Sequence, residues 1–167
     1  MSTTTIVSEK ELFIKMVMSN WNLQVGRMNS VLAKLSDEEL LAPTAPGRNT
    51  GIYLLGHLAA VSDGMFTFLG IGERLNPAMD EVFLHNPEES NLEKPSIAEL
   101  KEYWNKVNAV LSEKMNQIAP EEWFNRHTAV SEEDFAKEPH RNKLNIVINR
   151  TNHLSYHLGQ LVYLVKK

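Results

Sequence analysis

Four stretches of the chain place apolar residues at the 3.6-residue period of an amphipathic helix, and no stretch alternates convincingly as a strand would. The first runs from about Glu9 to Leu35, with Leu12, Phe13, Met16, Val17, Trp21, Met28 and Leu32 along one side. Ser8 and Glu11 form a capping box at its start, because each side chain can satisfy the other's free backbone N–H. A second box, Ser36 with Glu39, predicts a short turn in LSDEELLAP that Pro43 ends. PTAPGRNTG is a loop by composition. The second long helix runs from Asn49 or Thr50 to Leu69, and GIGERLNP closes it. The third opens at KPSIAEL, capped by Ser96 with Glu99 three residues on, and buries Ile97, Leu100, Trp104, Val107, Leu111 and Met115. The last spans roughly Lys143 to Val165.

Helices of this length predict an all-α fold, a four-helix bundle occupying residues 1–167 as one domain. The connections after the second and third helices are about 25 residues each, long enough that they do something or cross over the bundle. Long crossover connections are therefore expected, rather than a simple up-down-up-down arrangement.

The last helix carries two different faces. Leu144, Val147, Ile148, Leu154, Leu158, Val162 and Val165 form a conventional apolar stripe. Roughly 120° away, at 100° per residue, lie Ile146, Asn149, His153, His157, Gln160 and Leu164. Asn145, Asn152, Ser155 and Tyr156 read as solvated. The two histidines stand four residues apart, so their Cβ atoms are roughly 5–6 Å apart on one face. That spacing suits two ligands of one metal ion, and equally two polar residues on a wet surface. The aliphatic residues at both ends of the row point to a lined or buried position.

Two histidines seldom hold a metal tightly, and His57 is the candidate third. It shares a face of the second helix with Tyr53, Ala60, Val61, Gly64 and Phe68, where the small Ala60 and Gly64 leave space beside the ring. Tyr53, Gly64 and Gln160 are the candidates to line a substrate pocket, although Tyr53 and Phe68 read equally as core and Gln160 as a partner that orients a histidine. His85, His127 and His140 fall in predicted loops and read as solvated. Three neutral imidazoles would leave open positions on an ion, as catalytic sites do. Acidification through about pH 6 would protonate them and release it.

Composition narrows these options. Hydrophobic residues make up 43% and charged ones 23% of 167 residues, ordinary for a globular chain. The net charge of −4 comes with no block of like charge, so no nucleic-acid partner is expected. There is no cysteine, which excludes disulfides, thiolate zinc sites and a cysteine nucleophile. Any metal must be held by nitrogen or oxygen, and any reactive thiol must arrive on a small molecule. MSTTTIVSEK lacks the apolar core of a signal peptide. The most apolar window, Ile52 to Leu69, is broken by His57, Ser62, Asp63 and Gly64. No membrane association and a cytoplasmic location are expected.

GIYLLGHLAAVSD, followed far downstream by NHLSYHLGQLVYL, resembles the DinB-like (DinB/YfiT) superfamily over essentially the whole chain. The resemblance implies a four-helix bundle with an uncommon linkage, often a homodimer, in which His57, His153 and His157 bind a divalent ion such as zinc, nickel or iron. It also implies chemistry like that of the family's thiol-dependent S-transferases. The leading expectation is a low-molecular-weight-thiol S-transferase acting on small electrophiles. The alternatives are a metal-dependent hydrolase using water, or a bundle that is not catalytic. Asp63, six residues past His57, points away from that face and is a poor candidate base.

Overall fold

The structure is a computed structural model that describes residues 8–166; the stretch up to Val7, read above for a leader, lies outside the described residues. It is all-α, with seven helices and no strand among the described residues. Four are long: α1 (Glu9–Leu32), α3 (Gly51–Leu69), α5 (Ile97–Met115) and α7 (Lys143–Leu161). Three are short: α2 (Asp37–Leu41), α4 (Met79–Phe83) and α6 (Glu132–Lys137).

Helix starts follow local chemistry. Ser8, Ser36 and Ser96 each accept from the backbone N–H three residues on, and Glu11, Glu39 and Glu99 each return a bond to the cap N–H. Thr50 caps α3 and is itself clamped by Glu88, which accepts from its N–H at 2.8 Å and its hydroxyl at 2.5 Å. Gly70 ends α3 at φ +66°, a left-handed turn that a β-carbon would strain. The last helix stops at Leu161 and tightens into a 3-10 turn over Val162–Leu164, which completes the span expected to Val165.

Contacts fix the direction of each long helix. Gly51 lies against Leu164, His57 against His153, and Phe68 against Arg150, so α3 and α7 are antiparallel. Asp63 meets Tyr103 and, further along, Gly72 meets Lys114, so α3 and α5 are parallel. The groove between α1 and α7 is bordered by Phe13 and Met16 beside Ile148, then by Gly26 and Val31 beside Leu158 and Val162. Those two helices therefore run parallel. Trp104 donates to the side chain of Asn29 at 2.7 Å, tying α5 to α1. Because α3 and α5 point the same way, the segment between them returns along the length of α3, roughly 28 Å at 1.5 Å per residue. The long connection after the second helix is this crossover.

α3 is the core element. Fourteen of its residues are buried, from Gly51 to Leu69. It is also the one described helix long and apolar enough to span a membrane, and 72% of that window is buried inside the protein. Several positions differ from the expected pattern. Leu12, Phe13 and Met16 are 46–56% exposed; Phe13 and Met16 border an open groove instead of the interior. Val162 is exposed beyond the end of α7 proper, whereas Ile146 is buried. His127 is buried in its loop and its Nδ1 accepts from the Ala129 N–H, while His85 and His140 are exposed as expected.

Candidate metal centre

His57, at the middle of α3, faces His153 and His157, one turn apart on α7. The three Nε2 atoms converge: His153 Nε2 is 3.1 Å from that of His57 and 3.0 Å from that of His157. The rings meet edge to face, with centroids 4.6–5.0 Å apart.

The outer nitrogens decide what the inner ones offer. His57 Nδ1 lies 2.9 Å from the carbonyl oxygen of Phe83, which can only accept, so the ring's proton sits on Nδ1 and Nε2 keeps its lone pair. His157 Nδ1 donates to Gln160 Oε1 at 2.7 Å, with the same consequence. The Nδ1 of His153 is buried with no partner. At most one proton, that of His153, is available for the space between three nitrogens, and the Nδ1 of His153 lacks a partner in either tautomer. With that proton on Nδ1, three lone pairs point at one spot. Such a spot is suited to a cation. Nitrogens bound to one ion at about 2.0–2.1 Å sit roughly 3 Å apart; the two separations from His153 match this, and all three nitrogens lie within 4.8 Å of one another.

Burial holds all three rings neutral. The His153 pKa falls from 6.5 to about 4, first through burial and then through the charges of His157, His57 and Arg150. Burial lowers His57 and His157 as well; the Phe83 carbonyl and Gln160, respectively, oppose it in part. Neutral imidazole is the form that binds a metal.

Two tertiary devices position this geometry. Phe83, the last residue of α4, packs against Gly56: a β-carbon there would sit 2.3 Å from the phenyl ring. Only glycine admits so close a ring, and that approach brings the Phe83 carbonyl to His57. α4 is held in turn by Asp63, which is fully buried and accepts from the N–H groups of Leu75 and Asn76 at 2.7 and 3.0 Å and from the Tyr103 hydroxyl at 2.9 Å. Arg74 lies 3.5 Å from Asp63 and forks onto Asp80 in α4. Asp63 is thus a structural anchor.

Gln160 is one of the three residues expected to line a substrate pocket. It walls a cleft of about 310 Å³ with His157, Tyr156, Leu54, Arg48 and Glu89. Tyr53 is buried, stacks 6.4 Å from His57, and donates its hydroxyl to the Asn86 carbonyl. Gly64 is half-buried beside Phe68. Asn149, on the histidine row, is exposed. Sequence reasoning missed the Phe83 carbonyl, because its partnership with His57 depends on how the crossover folds back. The one local sign was a glycine placed directly before the histidine, between Leu55 and Leu58 in the buried part of the helix.

Fold and site together define a helical protein with a three-histidine group able to hold a metal ion. A family model described as the DinB superfamily matches residues 22–161, so the chain belongs to that superfamily. Comparison with curated proteins gives no match.

Proposed function

We propose that this protein is a divalent-metal-dependent enzyme that transfers a low-molecular-weight thiol to a small electrophile. The observation that carries the reading is the convergence of three Nε2 atoms with two of the outer nitrogens already engaged. Held by His57, His153 and His157, a zinc, nickel or iron ion supplies Lewis-acid charge that lowers the pKa of a thiol or of water.

The chain's own residues fix the rest. The Phe83 carbonyl and Gln160 lock two tautomers so that no proton competes for the Nε2 positions of His57 and His157. Asp63 is fully engaged by the crossover and offers no base. A thiol ionises at about pH 8–9 unaided and water far higher, so a site with little base assistance favours sulfur. In the reaction the S–H proton is lost to solvent or to the leaving group. The sulfur forms a bond to the electrophilic carbon as the bond to the leaving group breaks. The absence of cysteine fits a thiol that arrives on a co-substrate.

Glu89 supports a second reading, hydrolysis, because this acidic residue lines the cleft together with His157 and Gln160. The test is a panel of alkyl halides, aryl halides, epoxides and esters, run with metal-reconstituted protein in the presence and absence of cysteine and glutathione. Thiol consumption abolished by His153→Ala supports transfer. Ester cleavage that needs no thiol and is lost in Glu89→Gln supports hydrolysis. Silence across the panel removes both.

A further inference from the structure

Arg150 stands one turn before His153 on α7, so the two side chains share a face. Its guanidinium lies over the ring of Phe68, 5.5 Å from the centroid. It forms no ion pair among the described residues, and its Nε is buried without an acceptor. Half-buried arginines are ordinarily matched by a carboxylate or another acceptor. The aromatic face compensates for part of the charge but accepts no N–H bond along the guanidinium edge. The positive charge is felt at the three-histidine group, where it lowers the affinity of both His57 and His153 for protons.

The surroundings have the form of a binding strip. His57, Val61, Gly64 and Phe68 follow one another along a single face of α3 at the spacing of successive turns, and all four are half-exposed. Arg150, His153 and His157 line the facing side of α7 and are likewise half-exposed. A β-carbon on Gly64 would meet only Phe68, so the strip is open at its middle. Three imidazoles aim inward at one end, and an unmatched guanidinium stands a turn away.

We infer that Arg150 is a specificity residue that binds a carboxylate on the small molecule this strip takes up, at one helical turn from the three-histidine group. The inference rests on the proposed metal-dependent reading. Neutral ligands leave a divalent ion's charge uncompensated, and Arg150 adds a further positive charge. An anionic ligand answers both. A carboxylate matches a single guanidinium in charge and through two parallel N–H···O bonds, whereas a phosphate dianion carries a second negative charge that one arginine leaves unmatched.

The test compares 3-mercaptopropionate with its uncharged amide by calorimetric titration of the protein, with zinc and without it. The expected result is an acid at least about tenfold tighter than the amide, about 1.4 kcal/mol. Arg150→Gln should abolish that preference without changing zinc stoichiometry or amide affinity, and Arg150→Lys should restore part of it. Equal affinity for acid and amide overturns the inference, as does an Arg150→Gln variant that weakens both alike. If zinc fails to bind, the metal-dependent reading fails separately. The metal-free titration then decides the matter: a preference for the acid that Arg150→Gln removes sustains the carboxylate site, and no preference ends it.

Discussion

At the scale of single residues, the centre depends on where three protons are not. The Phe83 carbonyl and Gln160 fix two imidazole tautomers, and burial keeps all three rings uncharged. Replacing Gln160 with Leu should lower metal affinity by about 10–100-fold, the usual cost of losing a partner behind a ligating histidine. Its effect on thermal stability should be small, because Gln160 is half-exposed; equilibrium dialysis and a melting curve separate the two. Acid should weaken the metal-free fold. An unfolded His153 takes up a proton near 6.5, while the folded one resists until about 4. Between those values the unfolded chain binds more protons, so stability falls as pH falls through that window and is unaffected above it. Urea denaturation at pH 7.5, 5.5 and 4.5 should show this decline, and His153→Gln should flatten it. Stability that rises on acidification would contradict the assignment of buried neutral rings.

At the scale of elements, the crossover between α3 and α5 is what completes the site. It carries α4, and α4 carries the carbonyl that orients His57. Gly56→Ala would drive a methyl group into the Phe83 ring. The expected outcome is a loss of about 1–3 kcal/mol, typical of overpacking, together with weaker metal binding as the carbonyl withdraws. Asp63→Asn removes the buried charge that gathers Leu75, Asn76, Tyr103 and Arg74. It should cost about 3 kcal/mol or more, as breaking a buried ion pair does, and should likewise weaken metal binding. Unchanged melting and metal affinity in either variant would show that the crossover does not support the centre.

The long helices were legible because their signals are local: apolar periodicity in all four, and the Ser-x-x-Glu boxes at Ser8 and Ser96; the same box at Ser36 marked the short α2. The histidine spacing within α7 was legible for the same reason. α4 and α6, of five and six residues, are shorter than two turns and show no period. Periodicity also misjudged the start of α1, since Leu12, Phe13 and Met16 repeat correctly yet are exposed, the last two along an open groove. His127 is buried by loop folding that no local pattern encodes. The meeting of His57 with His153 spans 96 residues of sequence, beyond the reach of local pattern; His57 stood out as the candidate third histidine on its helix face, and the family resemblance strengthened that choice.

At the scale of the whole molecule, two antiparallel helices from distant parts of the chain meet to make the three-histidine group, and folding and metal binding should therefore be linked. An ion present at 100 times its dissociation constant adds about 2.7 kcal/mol to the folded state, which for a chain of this size raises the melting temperature by roughly 5–10 °C. The most direct measurement is the metal content of protein purified without a histidine tag, determined by plasma mass spectrometry beside the His153→Ala variant. One equivalent of a divalent transition metal per chain, lost in the variant while helicity is retained, is the expected result. Folded protein that neither carries such a metal nor takes one up from micromolar zinc, nickel or iron would contradict the account at its centre.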